Sequence, residues 1–377
     1  MLSLYVHLPW CVRKCPYCDF NSYTAGEDVP RQRYVRALVK DIAREATRAA
    51  DRALSSVFLG GGTPSFFPPE EIAEIIDAIQ ASFVLDDAAE ITMEANPGTV
   101  ESGAPAGYRR AGINRLSLGA QSFDTTMLER LGRLHSVGDI ERSVAEARGA
   151  GFDNLNIDVM FALPGQSVEQ ALADLDAAAA LEPEHLSWYQ LTMEPNTVFH
   201  ARPPAGLPDG DVAWDMQLAG QARLAELGFR QYEVSAYAKP NRECRHNRNY
   251  WEFGDYLAVG AGAHGKVMGA SGPERYQKPA NPLAYMAAVE ADEMPAVQPV
   301  AEADRPFEFM LMATRLVDGF DPAGFEATTG LPAAELETRM AAALEKGLLE
   351  RTDDRRIRPT GLGRRFLNDL QAGFLPG

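Results

Sequence analysis

The stretch Leu2-Ser-Leu-Tyr-Val-His-Leu8, continued by Pro9-Trp-Cys11-Val-Arg-Lys-Cys15-Pro-Tyr-Cys18-Asp-Phe20, decides how the rest of the chain is read. Leu4, Val6 and Leu8 alternate with Tyr5 and His7, the pattern of a strand with two different faces. The loop after it carries three of the chain's four cysteines, at C-x3-C-x2-C spacing. Three thiolates so spaced can grip three corners of an iron–sulfur cube and leave the fourth iron open to a substrate. Spacing alone leaves two other readings open: a Cys3His zinc site completed by His7, and unligated structural cysteines.

Outward from this strand the same rhythm repeats. Apolar strand candidates fall at Ser56–Leu59, Glu90–Ala95, Arg115–Ala120, Asn154–Phe161, Leu186–Thr192 and Tyr232–Ala236. Amphipathic stretches lie between them, among them Pro69–Phe83, Asp139–Ala150, Val168–Leu181 and Asp211–Leu227. Strand, helix, strand at this spacing predicts an α/β fold with a parallel sheet and right-handed crossovers: a partial (β/α)6-type barrel, with an open doubly wound sheet as the alternative. Asn154, Asn156 and Asp158 alternate with Leu155, Ile157 and Val159, and Thr92 and Glu94 with Ile91 and Met93. With helices covering the apolar face, the polar set points into the barrel. A filled barrel interior prefers branched apolar residues, so a polar one predicts a ligand cavity.

Beyond about Lys239 the rhythm breaks and a loop-rich stretch with several glycines follows, through Gly254, Gly260, Gly262, Gly265 and Gly269. From about Glu302 a small helical domain follows, with a hairpin at Leu348–Arg351 and Arg356–Arg358 and a last helix from Thr360 towards Leu370, winged-helix-like in outline. The predicted divisions are a barrel at residues 1–238, a connecting segment at 239–301 and a C-terminal domain at 302–377. The net charge of −17 argues against general nucleic-acid or anionic-membrane binding, and Arg355-Arg-Ile-Arg358 reads as a solvated basic face. No run approaches about 20 apolar residues, so no integral membrane segment is expected. The start lacks the pattern of a signal peptide and the few cysteines are clustered, which predicts a cytoplasmic protein.

Gly60-Gly-Gly-Thr-Pro64 follows the second strand, where glycines let a backbone approach a ligand closely; a tight turn is the plain alternative. It is not a phosphate loop, because no Gly-Lys-Ser/Thr follows. Glu94, Gln121 and Asp158 end later strands, at the same pole of the barrel as the cysteines, with Arg133 beyond. Carboxylates and amides there suit a cationic cofactor with ribose hydroxyls. Arg133 has a surface ion pair with Glu129 as its alternative.

With these residues in place the chain resembles the radical S-adenosylmethionine (SAM) superfamily, over essentially its whole length. It is similar in particular to the branch of oxygen-independent coproporphyrinogen III oxidases and HemW-type haem chaperones. The resemblance implies a [4Fe–4S] cluster on Cys11, Cys15 and Cys18, with SAM on the fourth iron cleaved to a 5′-deoxyadenosyl radical. It makes Tyr5, Tyr17, Gly61, Gly62, Thr63, Glu94, Gln121, Arg133 and Asp158 candidates for the SAM site. The oxidases of this branch carry a further cysteine where this chain has Phe20, and a longer N-terminal extension, which puts decarboxylase activity in doubt. Cys244-Arg-His-Asn-Arg-Asn-Tyr-Trp251 is similar to the His-Asn-x-x-Tyr-Trp motif of the chaperones and makes His246, Asn247, Tyr250 and Trp251 haem candidates. His264, in Val259-Gly-Ala-Gly-Ala-His-Gly265, is a second candidate for haem iron, with a glycine-rich turn as its plain alternative. The function implied is transfer of haem to apo-haemoproteins, with oxidative decarboxylation of coproporphyrinogen III as the alternative. The implied partners are haem-accepting apoproteins and an electron donor, with room for a membrane-bound acceptor. The chain is expected as a monomer or a dimer.

Overall fold

The apolar half of each alternating strand needs a cover, and the amphipathic segments between the strands provide it. The structure is a computed structural model and describes residues 1–99 and 104–376. In chain order its strands are β1 (Leu2–Leu8), β2 (Trp10–Cys11), β3 (Tyr23–Thr24), β4 (Leu54–Gly61), β5 (Leu85–Ala95), β6 (Arg115–Gln121), β7 (Leu155–Phe161), β8 (His185–Gln190), β9 (Arg230–Glu233), β10 (Ala236–Ala238), β11 (Asp255–Val259), β12 (His264–Gly269), β13 (Gly272–Gln277), β14 (Gln298–Pro299), β15 (Leu349–Arg351) and β16 (Ile357–Pro359). Strands β1, β4, β5, β6, β7 and β8 lie side by side, every neighbouring pair parallel. This is the predicted six-stranded partial barrel. Helices Arg31–Ala49, Pro69–Ser82, Val137–Gly149, Val168–Ala180 and Gly210–Glu226 connect and flank these strands. Ser136 with Asp139, and Ser167 with Gln170, form capping boxes that fix where two of the helices start. Leu4, Val6, Val57, Leu59, Ile91, Met93, Leu116, Ile157 and Val159 bury against Leu38, Ile42, Ile72, Ile76, Ile140, Val144 and Leu175 in one core.

Three sequence expectations are corrected. The Tyr232–Ala236 segment is not a seventh parallel strand: the backbone N–H of Ser235 donates to the Glu233 carboxylate (3.0 Å) and the chain turns there. The resulting hairpin of β9 and β10 is antiparallel, and β10 also edges β8 antiparallel. Residues 239–301 are not mainly loop. They hold the helix Arg245–Trp251 and β11–β14, and β11 pairs parallel with the other side of β1. Gly260 and Gly262 take positive φ where the chain reverses after β11, and Gly265 leaves room for the Tyr276 ring. The last helix divides at Phe366 (φ −113, ψ 44) into Gly361–Arg365 and Leu367–Ala372.

The C-terminal part has its own core of Phe309, Phe325, Leu336, Met340 and Ile357, and Phe253 of the barrel side joins it. Its wing is the antiparallel pair β15 and β16. Within the basic run, Arg358 pairs with Glu350 (2.7 Å) and Arg356 donates to the carbonyls of Asp318 and Gly319, so these cations are used within the domain.

Candidate cofactor site

The cysteine loop starts from β2, which pairs with β3 through Trp10–Tyr23 and Cys11–Thr24. The Lys14 ammonium donates to the carbonyls of Phe20 (3.0 Å) and Ser22 (3.1 Å), and the Cys18 N–H donates to the Cys15 carbonyl (3.2 Å). These bonds fold the loop back on itself and leave Cys11, Cys15 and Cys18 half-buried along one cleft. Among the described residues no three histidine, cysteine or carboxylate side chains close tightly enough on one point to hold a lone ion. His7 cannot complete a zinc site as placed: its Nε2 lies 2.8 Å from the Asn21 carbonyl and its Nδ1 3.0 Å from the Tyr5 hydroxyl.

The glycine loop lies flush against the cysteine loop. The Gly62 N–H donates to the Leu8 carbonyl (2.7 Å) and the Thr63 N–H to the Trp10 carbonyl (2.9 Å). A Cβ on Gly62 would stand 2.7 Å from the Pro9 carbonyl carbon and 2.8 Å from the Trp10 nitrogen. Gly61 has φ +113, its missing side chain makes room for the His7 ring, and its N–H donates to the Glu94 carboxylate (3.2 Å). The two glycines thus serve loop-on-loop packing as well as the cleft, which Gly62 and Thr63 line and Gly61 supports from behind.

The cleft opens to solvent beside the cysteine loop. Tyr17, Glu94, Gln121, Arg133 and Asp158 line it together with the cysteines. Arg133 donates to the Cys15 sulfur (3.4 Å) and to the Gly119 carbonyl (2.8 Å), so it points into the cleft and not outward to Glu129. Gln121 has φ +66, and its buried Oε1 has no hydrogen-bond partner. An orphaned acceptor at the end of β6, beside two carboxylates, fits a ligand that brings donors and positive charge. Burial and the neighbouring Asp158 push the Glu94 carboxyl up to about 8, and burial raises Asp158 as well. Glu94 therefore keeps its proton in the ligand-free fold but loses it in the unfolded chain above its ordinary value of about 4.3. The folded state binds more protons across that window, so stability of the ligand-free protein falls as pH rises from about 4.5 to about 8. The midpoint of thermal unfolding, followed from pH 5.5 to 8.5, is expected to drop by a few degrees, and Glu94→Gln to flatten the slope; equal slopes in both proteins would refute this.

Ser117 and Tyr189 also line the cleft and were missed by sequence reasoning. The signal was present, because Ser117 shares the polar face of β6 with Gln121, and Tyr189 that of β8 with Ser187.

Below the cleft, towards the N-terminal ends of the strands, a second chamber of about 220 Å³ shares Glu94, Ser117 and Asp158 with it. Tyr5, His246, Asn247 and Tyr250 line this chamber and not the cysteine cleft. His246 is 1% exposed, with Nδ1 3.1 Å from the Ser56 hydroxyl and Nε2 3.0 Å from the Tyr250 hydroxyl. Burial and then Arg115 hold its pKa down at about 3. Both ring nitrogens are engaged, so His246 as placed is a buried hydrogen-bonding hub with no lone pair free for a metal. Cys244 is fully buried against Glu90, and burial pushes its thiol up to about 12. Trp251 is half-buried, with the Arg315 guanidinium 4.2 Å from its ring centre. His264 is exposed at the start of β12.

A cysteine loop at the C-terminal end of the first strand of a partial parallel barrel, with a polar cleft beside it, defines a radical SAM fold. The model of the radical SAM superfamily matches residues 5–178, and that of the HemN C-terminal domain matches residues 300–366. The chain is 44% identical to the protein named "Heme chaperone HemW" of Haemophilus influenzae, over 99% of this chain and 98% of that one. It is equally similar to the protein of that name in Escherichia coli, at 44% identity over 99% and 98% of the two chains. The solved structure of coproporphyrinogen III oxidase (HemN) from Escherichia coli superposes with a TM-score of 0.82 over 99% of this chain and 89% of that one, at 24% identity, and so shows the shared fold. The chain belongs to the HemW family of the radical SAM superfamily.

Proposed function

We propose that this protein is a haem chaperone: it holds a [4Fe–4S] cluster on Cys11, Cys15 and Cys18, takes SAM in the adjoining cleft, and delivers haem to apo-haemoproteins. The observation that carries the reading is the full-length similarity to two proteins named as haem chaperones, joined to a cleft whose groups suit these cofactors. When bound, cluster and SAM supply one-electron chemistry at the open iron. Arg133 offsets the negative charge of the cysteine sulfurs, Glu94 and Asp158 face the cationic ligand, Gln121 accepts a donor from it, and Tyr17 covers it. No helix of the described residues is long and apolar enough to cross a membrane. Haem-accepting apoproteins and an electron donor are the partners this function requires.

The test is to load the reconstituted protein with haem and mix it with an apo-haemoprotein, with and without SAM and reductant. Transfer of the Soret absorbance to the acceptor faster than from free haem is the expected result. The competing reading is oxidative decarboxylation of coproporphyrinogen III, suggested by the shared fold. Phe20 stands where the oxidases have a further cysteine and is 58% exposed beside the cluster cleft. Anaerobic incubation with coproporphyrinogen III, SAM and reductant is expected to give no vinyl product, and its appearance would replace the chaperone reading.

A further inference from the structure

Gln121 reaches the cofactor cleft from an irregular stretch of backbone. Between β6 and β7 the register runs Gly119 to Asp158 and then Gln121 to Val159, so Ala120 bulges out of the ladder. Gln121 follows with φ +66, a region that favours glycine. Its side chain lines the cleft, with an Oε1 that accepts no hydrogen bond among the described residues. A side chain aimed by a bulge and a left-handed residue stays in place only where the surrounding structure fixes that backbone.

We infer that Asp174, on the helix Val168–Ala180 and outside the cleft lining, is a positioning residue for SAM: it clamps the backbone just after Gln121 and so holds that amide in the cleft. This rests on the SAM part of the reading above.

Asp174 is 3% exposed. The Ser122 hydroxyl lies 3.0 and 2.9 Å from its two carboxylate oxygens and donates to them, and the Phe123 N–H donates to Oδ1 (2.6 Å). Gln166 Nε2 donates to Oδ2 (3.2 Å), while Gln166 Oε1 accepts the Leu163 N–H (3.1 Å). Leu163 follows Ala162, which has φ +57 just after β7. One carboxylate thus holds the ends of two neighbouring strands, where both leave the sheet through left-handed residues. The Ser122 hydroxyl also accepts the Asp124 N–H (3.1 Å), and Asp124 caps the helix Thr125–Arg130, so the turn after Gln121 is fixed on both sides. Donors aimed at a buried carboxylate make strong, directional bonds. Helix-to-sheet packing alone would be served by an apolar residue, as it is by Ala171 and Leu175 on the same helix. A buried acid is costly there, and its donors Ser122, Phe123 and Gln166 all come from the loops that follow β6 and β7.

The test is SAM binding to the anaerobically reconstituted full-length protein, measured by isothermal titration beside iron content. Asp174→Ala is expected to weaken SAM binding about tenfold with iron content at the wild-type level, because small displacements of a positioning group are costly. Asp174→Asn keeps an oxygen for the Phe123 N–H and is expected to restore affinity to within about threefold of wild type. Ser122→Ala, which leaves the acid in place, is expected to weaken binding severalfold. In a Gln121→Ala background, Asp174→Ala should cost less than about twofold more, since it acts through that amide. Unchanged affinity in Asp174→Ala, with SAM bound by the wild type, would overturn the assignment and leave the SAM reading standing. An equal loss with and without Gln121, or loss of iron together with SAM, would also overturn it and make Asp174 a packing residue of the barrel. A reconstituted wild-type chain that binds no SAM would overturn both.

Discussion

Replacing Cys15 with alanine is expected to bring the iron taken up on anaerobic reconstitution from about four per chain to near none, with loss of the visible charge-transfer absorbance. Only three cysteines border the cleft, and the fourth, Cys244, lies fully buried in the helix-245 region. No substitute thiolate is within reach. Cys15 is also the sulfur to which Arg133 donates, so its loss removes a ligand and leaves a mostly buried guanidinium without that acceptor. The barrel core does not include the cysteine loop beyond Trp10 and Tyr23, so far-ultraviolet circular dichroism should be unchanged. Iron and sulfide analysis beside the dichroism spectrum separates loss of the site from loss of the fold. Binding of one zinc per wild-type chain in place of iron and sulfide would contradict the cluster assignment.

Gly62→Ala is expected to have the second largest effect. The added methyl would meet the carbonyl carbon and oxygen of Pro9 and the nitrogen of Trp10, all backbone, at 2.7–2.8 Å. Backbone cannot swing aside as the end of a side chain can, so the glycine loop and the cysteine loop must separate. That stretches the bonds from Gly62 N–H to Leu8 and from Thr63 N–H to Trp10. Overpacking of this kind costs about 1–3 kcal/mol. The strain falls on the segment that carries Cys11, so cluster occupancy should fall severalfold and the midpoint of thermal unfolding by several degrees. Gly26→Ala is the control, because nothing lies within 4 Å of its added methyl. Equal iron content in Gly62→Ala and Gly26→Ala would show that the contact between the loops does not hold the cluster site.

Much of the fold was legible because its signals are local. Alternation in Leu2–Leu8 and Leu155–Phe161 marks strands with one apolar and one polar face, and the intervening amphipathic segments imply crossovers. The same alternation located Glu94 and Asp158 on the cavity side. The sequence failed where an outcome depended on a distant partner. Residues 255–277 read as loop because their glycines suggest turns, yet pairing with β1 makes them strands. Tyr232–Ala236 read as one strand, yet the chain turns between Glu233 and Ala236, where the Ser235 N–H donates to the Glu233 carboxylate.

The cysteine triad, the parallel strand–helix order and the polar inner face belong to the sequence by itself, since spacing and period act over a few residues. Tertiary structure alone decided what the glycines and histidines do. Gly62 is a glycine because the Pro9–Trp10 backbone passes across it, and that contact exists only once β1 and β4 are in register. Along the chain His246 is the motif-carried haem candidate and His264 a secondary one. Packing buries the first between Ser56 and Tyr250 and leaves the second exposed at the start of β12.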